Sequence, residues 1–287
     1  MPFADLADVR LHYELGGSGP PLLVISGTGS DLRQQPNPTA WPVAEHFTVL
    51  AYDHRGLGQS EPADPQHQPA MKDFAADASA LAHHVGWPSF TVLGVSFGGM
   101  VAQELVLGGA RQVERLVLAC TSAGGEGGAS YPLDQLYDLS PEERTERLVA
   151  VTDTRTADDV ELRATVMAFV GRSEGADGPA PAEAPPGLRR QLEARRHHDT
   201  FDRLGAIAVP TLVAAGRYDG IAPLANSEAL AAHIPDAQLA VFDGGHAFMI
   251  QDLSSWAVMV DFLQGSGSRA RSAAEHDGGV LQAGDDR

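Results

Sequence analysis

The chain has 287 residues, of which 43% are hydrophobic, and 38 acidic against 20 basic residues give a formal net charge of −18. This length and apolar content allow one large α/β domain, and a strongly acidic surface argues against nucleic-acid binding. A single cysteine cannot form an intrachain disulfide, and without an export signal or an eighteen-residue apolar run we expect a cytoplasmic protein that does not span a membrane.

The first strong patterns along the chain predict two strands. Residues 9–15 alternate apolar and polar side chains, which predicts an antiparallel edge strand ending at Gly16 and Gly17. The apolar run 22–25 is continuous and is typical of a central parallel strand buried on both faces.

A glycine-rich turn, residues 26–30, follows that central strand. Its Gly27-Thr28-Gly29 could begin a dinucleotide-binding loop, but Leu32 stands where the third glycine of that motif is required. We therefore interpret the turn as part of a site at the carboxyl edge of a parallel sheet.

The next strand, residues 47–52, leads into a turn over residues 53–60. Asp53 and Arg55 in this turn could form an ion pair, and a structural turn is the favoured interpretation. An amphipathic helix is predicted over residues 71–85, with solvated histidines near its end.

A short apolar run, residues 90–95, enters the sequence Gly94-Val95-Ser96-Phe97-Gly98, and an apolar-periodic helix leaves it. A strand that turns sharply into a helix crowds its own backbone, and glycine relieves that crowding on either side of the serine. This context predicts that Ser96 projects from the turn above the sheet.

The pattern changes after the next predicted strand, residues 113–120. Helices are predicted over 141–150 and 157–170, followed by a loop rich in proline and alanine over 175–187. We interpret residues 123–199 as a helical cap inserted into a core formed by residues 1–122 and 200–264.

The sheet resumes with strands over 209–215 and 238–242, separated by a helix over 224–234, and a last helix is predicted over 254–263. Asp219 follows the first of these strands, and His246 follows the second. Residues 265–287 have no apolar period, so we expect a disordered tail.

Three side chains thus follow predicted strands in the order Ser96, Asp219, His246. A serine hydroxyl needs a base within hydrogen-bond reach, and an imidazole base needs a carboxylate to fix its tautomer. We predict Ser96 as nucleophile, His246 as proton shuttle and Asp219 as the acid, with Asp243 as the alternative acid. The backbone amides of Phe97 and Thr28 are the predicted oxyanion donors.

The chain resembles α/β-hydrolase-fold proteins of the cap-bearing esterase, lactonase and carbon–carbon hydrolase group. The resemblance is carried by the strand-to-helix turn around Ser96, called the elbow, by the turn 53–60, and by Asp219 and His246. The resemblance implies a mostly parallel, doubly wound sheet with an inserted cap. Many members have His-Gly before the oxyanion residue, where this chain has Ser26-Gly27. A serine at the elbow also separates the chain from dehalogenases and epoxide hydrolases of this fold, which use a carboxylate nucleophile.

The favoured function is hydrolysis of a small-molecule ester, lactone or thioester through an acyl-enzyme on Ser96. The alternatives are a lyase, cyclase or carbon–carbon hydrolase on the same fold, and a ligand-binding receptor with a vestigial triad. No metal or organic cofactor is expected.

Substrate choice is expected to depend on the cap and the loops beneath it. Arg189, Arg190, Arg195 and Arg196 could receive a carboxylate or a carrier protein's phosphopantetheine, although the favoured interpretation is a solvated helix face. Side chains that could line an apolar pocket, with core packing as their competing role, are Trp41, Phe97, Tyr131, Met167, Phe169, Phe248 and Met249.

Overall fold

The computed structural model describes residues 2–173 and 183–265, which build a nine-stranded sheet with helices on both faces. The strands are β1 Phe3–Asp5, β2 Val9–Gly17, β3 Pro21–Ile25, β4 Thr48–Tyr52, β5 Glu61–Pro62, β6 Phe90–Val95, β7 Val113–Ala119, β8 Thr211–Gly216 and β9 Gln238–Phe242. The helices are α1 Met71–His84, α2 Phe97–Leu107, α3 Pro141–Thr152, α4 Val160–Ser173, α5 Pro186–Arg196, α6 Leu224–His233, α7 Phe248–Gln251 and α8 Ser254–Leu263.

The strand order is β1-β2-β4-β3-β6-β7-β8-β9, and β5 pairs with β2. The run from β4 to β9 is parallel, whereas β1, β2 and β5 pair antiparallel. The predicted mostly parallel sheet is therefore confirmed, and β3 lies at its centre between β4 and β6.

The prediction that β2 is an edge strand is wrong. The three-residue strand β1 pairs with Arg10–His12 and covers that side of β2. A strand of three residues is too short to show an alternating pattern, so no sequence pattern indicated β1.

Helices pack on both faces because successive side chains of a strand point to opposite sides of the sheet. In β3, Leu23 belongs to the core cluster that contains Phe74 of α1 and Met100 of α2. Its neighbour Leu22 belongs to the cluster that contains Met259 of α8. The central strands are thus buried on both sides, which explains their continuous apolar sequence.

The ion pair that Asp53 and Arg55 could have formed is absent, because the two described side chains have different partners. Asp53 accepts hydrogen bonds from His12 and from the amides of Leu32 and Gln59. The Arg55 guanidinium instead forms two bonds of 2.6 and 2.7 Å with the buried carboxylate of Asp77. Each side chain ties the turn to a different part of the core.

Between β7 and β8, in the segment predicted as a cap, the described residues form the helices α3, α4 and α5. Val149, Val166 and Val170 form a small apolar cluster between α3 and α4. The predicted loop over 175–187 ends too late, because α5 already begins at Pro186, a residue well suited to the first turn of a helix.

Residues 174–182 and the predicted tail beyond Gly265 lie outside the described residues. Within the described ranges, no helix has both the length and the apolar character needed to cross a bilayer.

Candidate active site

Ser96 lies at the end of β6 with φ +55° and ψ −116°, immediately before α2. A Cβ atom at Gly98 would lie 1.9 Å from the carbonyl oxygen of Ile25, and one at Gly94 would lie 2.6 Å from that of Gly98. Neither position can carry a side chain without moving the backbone. The two glycines allow the tight turn that presents Ser96 at the carboxyl edge of the sheet.

The structure brings Ser96, His246 and Asp219 into one hydrogen-bonded chain. His246 Nε2 is 3.0 Å from Ser96 Oγ, and His246 Nδ1 is 2.8 Å from Asp219 Oδ2. A carboxylate only accepts hydrogen bonds, so the proton of the neutral His246 ring is assigned to Nδ1, which faces Asp219. Nε2 then accepts the hydrogen bond from the Ser96 hydroxyl. Such an arrangement can activate a serine for attack on a carbonyl carbon.

The Asp219 carboxylate is held by its own loop. Its Oδ1 atom accepts hydrogen bonds from the amides of Ile221 at 2.7 Å and Ala222 at 2.8 Å, and the side chain is 1% exposed. The alternative acid, Asp243, is directed elsewhere: its side chain is 74% exposed and pairs with Arg155. Of the two carboxylates, Asp219 is the one that contacts His246.

The end of α3 touches both loops that carry these side chains, a feature that we did not predict. The amide of His246 donates to the carbonyl of Thr152 at 2.6 Å, and the amide of Gly220 donates to that of Val151 at 2.9 Å. A Cβ atom at Gly245 would lie 2.0 Å from the Thr152 oxygen. The end of α3 therefore contacts the loops of Asp219 and His246 through backbone atoms.

Asp153, just after α3, is fully buried and extends this contact through side chains. Its carboxylate accepts from the Arg155 guanidinium and from Gln251 Nε2, and Gln251 Oε1 accepts from the amide of Gly245. Burial acts to raise the pKa of Asp153, but the hydrogen bonds from Arg155 and Gln251 outweigh it and hold the pKa below its ordinary value.

One of the two predicted oxyanion donors directly follows Ser96 in the chain, and the other lies on the loop after β3. Phe97 is the first residue of α2, so its amide has no carbonyl partner within the helix. The loop after β3 passes close by, since a Cβ atom at Gly27 would lie 3.5 Å from that of Ser96. Thr28 follows directly, and the next amide, that of Gly29, donates to Gln191 Oε1 of α5 at 2.8 Å.

Of the predicted pocket residues, Phe248 is fully buried and stacks on Phe242 with ring centroids 5.2 Å apart. Trp41 and Met249 pack against the same core cluster, and Met167 packs against the small cluster of the cap. These contacts are those of core packing, and a pocket role for the four residues stays a prediction.

The prediction that the arginines of α5 form a solvated face is wrong for Arg195. The Arg189 side chain is 65% exposed and Arg196 is 62% exposed, in pairs with Glu183 and Asp134. Arg195 is only 7% exposed. Burial lowers the pKa of Arg195 to about 10.

A metal site is not formed by the described residues, since no three or more histidine, cysteine, aspartate or glutamate side chains among them are grouped to hold an ion.

Comparison with known proteins gives consistent results. A family model described as the alpha/beta hydrolase fold matches residues 20–253. The chain is 32% identical over 280 residues to the 2-hydroxymuconate semialdehyde hydrolase of Pseudomonas sp. (strain CF600), which covers 90% of this chain and 91% of that protein. It is 30% identical over 261 residues to the poly(3-hydroxyalkanoate) depolymerase of Ectopseudomonas oleovorans, with coverage of 87% and 86%.

Among solved structures, the enol-lactonase from Burkholderia xenovorans LB400 superposes with a TM-score of 0.74 at 25% identity, over 92% of this chain and 100% of that one. These three relatives are named for different reactions. Overall similarity therefore gives the fold and the broad class of chemistry without selecting a substrate.

Proposed function

The chain belongs to the α/β-hydrolase fold family, and we propose that it is a serine hydrolase that cleaves a small-molecule ester, lactone or thioester through an acyl-enzyme on Ser96. The observation that carries this proposal is the pair of hydrogen bonds of His246, 3.0 Å to Ser96 and 2.8 Å to Asp219. An imidazole held between an alcohol and a buried carboxylate has the geometry of a general base.

In the proposed mechanism, Ser96 Oγ attacks the carbonyl carbon of the substrate while its proton passes to His246 Nε2. The Asp219 carboxylate stabilises the resulting imidazolium, and the amides of Phe97 and Thr28 stabilise the negative charge on the carbonyl oxygen. The imidazolium then gives its proton to the leaving oxygen or sulfur. Water attacks the acyl-enzyme by the same route in reverse, which releases the acid and restores Ser96.

A carbon–carbon hydrolase is the second candidate, because a relative at 32% identity is named as a semialdehyde hydrolase. That reaction would use the same Ser96 and His246 on a ketone, with a carbanion as leaving group. Short p-nitrophenyl esters distinguish the two candidates, since rapid turnover of such esters supports ester cleavage as the main reaction.

The proposal is tested with an activated phosphonate that reacts with nucleophilic serines. We expect stoichiometric labelling of the wild-type protein, located at Ser96 by peptide mass spectrometry, and no labelling of Ser96→Ala. A folded protein that remains unlabelled and hydrolyses no ester would refute a serine hydrolase.

The oxyanion assignment gives a prediction of its own. Because the proposed donor at position 28 is a backbone amide, Thr28→Ala should retain most of the kcat for a p-nitrophenyl ester, whereas Ser96→Ala should lose about a thousandfold or more. Equal losses in the two variants would contradict the assignment of a backbone donor at Thr28.

A further inference from the structure

Helix α5 of the cap carries two buried polar side chains one turn apart. Gln191 is 0% exposed and Arg195 is 7% exposed. Residues four positions apart lie on the same face of a helix, so both side chains point to the same side of α5. The neighbouring arginines Arg189 and Arg196 lie at the surface.

Gln191 reaches the loop that passes beside the catalytic serine. Its Oε1 atom accepts the hydrogen bond from the amide of Gly29 at 2.8 Å, and since an amide N–H can only donate, this contact fixes the orientation of the side-chain amide. Its Nε2 atom is buried and has no hydrogen-bond partner among the described residues. Gln191 therefore has a buried donor beside Gly29. Gly29 lies two residues after Gly27, where a Cβ atom would lie 3.5 Å from that of Ser96.

Arg195 is linked to the loop that carries Asp219. Its Nη1 atom donates to the carbonyl of Tyr131 at 2.8 Å, the Tyr131 amide donates to the carbonyl of Ile221, and the Ile221 amide in turn donates to Asp219. The guanidinium thus lies close to the Asp219 loop. Its Nε atom is buried and, within the described ranges, has no hydrogen-bond partner.

The charge of Arg195 also lacks a carboxylate of its own in the described part of the chain. Asp134 and Asp219 are the acidic groups whose charges act on it, but Asp134 pairs with Arg196 and Asp219 with His246. Neither is in a salt bridge with Arg195. A buried cation without a paired anion is costly, and a protein usually supplies a partner for it.

The core shows what such a partner looks like. The Arg55 side chain is 4% exposed, and it forms a two-pronged contact with the equally buried Asp77 at 2.6 and 2.7 Å. This is the arrangement expected of an arginine with a structural role. Arg195 has comparable burial, lies beside the catalytic groups and lacks this arrangement.

We propose that Gln191 and Arg195 form a subsite for a carboxylate on the part of the substrate that is not cleaved. The inference rests on the proposed function, and it narrows the substrates to esters, lactones or thioesters that also carry a carboxylate. A carboxylate has two planar oxygens for the two donors and a single charge to match that of Arg195. A phosphate dianion would bring a second buried charge without a partner.

The test uses two esters of matched chain length, mono(4-nitrophenyl) glutarate and 4-nitrophenyl pentanoate, which differ by a terminal carboxylate in place of a methyl group. We expect the wild-type kcat/KM to favour the glutarate by about tenfold or more, the effect of one charge-assisted contact. In Arg195→Gln, the ratio of the two kcat/KM values should fall by about tenfold or more, mainly through a higher KM for the glutarate. Arg189→Gln, an exposed arginine of the same helix, is the matched control and should keep the wild-type ratio.

A wild-type ratio of one or less would overturn the carboxylate subsite, and so would an unchanged ratio in a folded Arg195→Gln. If that variant does not fold, Arg195→Lys, which keeps the charge but loses the planar fork, should show an intermediate ratio.

A binding measurement separates this inference from the proposed function. The melting temperature of Ser96→Ala should rise with monomethyl glutarate and stay unchanged with methyl pentanoate at equal concentration. If the wild-type protein hydrolyses neither ester and resists the phosphonate, the proposed function fails, while the binding result still decides the subsite. Equal shifts of the melting temperature with the two ligands, or no shift with either, would refute the carboxylate subsite.

Discussion

At the scale of single residues, the conformation of Ser96 is the costliest local feature of the site. A non-glycine residue at φ +55° and ψ −116° lies outside the regions that a side chain ordinarily tolerates. The conformation persists because the amide of Ser96 donates to the carbonyl of Ala119 and its carbonyl accepts from Thr121. Surrounding contacts thus hold the hydroxyl towards His246 at a cost in stability.

This cost predicts a difference between two inactive variants. Ser96→Gly removes the side chain and fits the observed backbone angles, whereas Ser96→Ala removes the hydroxyl and keeps the strain. We expect Ser96→Gly to have the larger free energy of unfolding, by about 1 kcal/mol. Urea denaturation of the two proteins at equal pH measures it, and a glycine variant that is less stable than the alanine variant would show that the backbone is not strained.

How far single residues could be predicted depends on the range of their contacts. The elbow around Ser96 could be predicted because its glycines act on a turn within a few residues of themselves. The burial of Arg195 could not, since it depends on packing against Tyr131, far away in the sequence. An arginine next to other arginines has the pattern of a solvated face, and nothing local distinguishes the buried one.

At the scale of elements, the end of α3 contacts the two loops that carry Asp219 and His246. Thr152 accepts from the amide of His246, and Asp153 binds Gln251, which in turn holds the amide of Gly245. We infer that Asp153 is a positioning residue for His246, because Asp153 binds Gln251 at 2.9 Å and Gln251 binds the amide of Gly245, the residue before His246, at 2.8 Å.

Asp153→Asn tests this role, since it keeps the shape but weakens the bonds from Arg155 and Gln251. We expect kcat for a neutral ester to fall about tenfold as His246 loses its alignment, with KM changed by less than about twofold. The rate of phosphonate labelling at Ser96 should fall in proportion to kcat. Asp243→Asn is the matched control, because it removes only the exposed partner of the same Arg155. A loss of stability with unchanged kcat and labelling rate would assign Asp153 a purely structural role.

Elements were predicted well where their pattern was long and their contacts were local. Strands such as β3 and β6 have continuous apolar runs, and α8 was predicted with its observed bounds, Ser254–Leu263. The start of α5 was missed because prolines and alanines before it suggest a loop. The contact of α3 with the His246 loop could not be predicted, since it joins segments about ninety residues apart through backbone atoms.

At the scale of the whole molecule, the two halves of the core meet along the carboxyl edge of one parallel sheet. Ser96 follows β6, Asp219 follows β8 and His246 follows β9, and carboxyl ends of parallel strands share one edge. That meeting could be predicted from chain order alone. The separation of 2.8 to 3.0 Å between the groups could not, because it depends on how loops far apart in the sequence pack against each other.

Two of the buried histidines, His54 and His198, have a lowered pKa and affect the stability of the entire fold. His54 lies among the rings of Tyr52, Phe74 and Phe97 and donates from Nε2 to the carbonyl of Ser26. Burial lowers the pKa of His54 to about 4. Burial also lowers the pKa of His198 to about 4. The charge of Arg203 adds a small lowering effect, while Glu104, Asp199 and the backbone of Ser122 raise this pKa by smaller amounts.

The sign of the pH effect follows from these values. Between pH 6.5, the ordinary pKa, and about pH 4, the unfolded chain binds a proton at each histidine that the folded chain excludes. Each histidine therefore destabilises the fold as the pH falls through 6.5, by about 3 kcal/mol once the pH is below 4. The net charge of −18 acts in the opposite direction, because acid relieves the repulsion among carboxylates.

Comparison of variants separates the two effects. Between about pH 7.5 and pH 5.5, the wild-type protein should lose about 1 kcal/mol more of its free energy of unfolding than His198→Asn, which has no ionisable group at this position. Urea denaturation at the two pH values measures the difference, and His83→Asn, at an exposed position on α1, should behave as the wild type does. The overall charge is nearly the same in all three proteins, so repulsion among carboxylates cancels from the comparison. If the wild type and His198→Asn lose equal stability on acidification, then His198 takes up its proton in the folded state as readily as in the unfolded chain, and its burial does not keep it neutral.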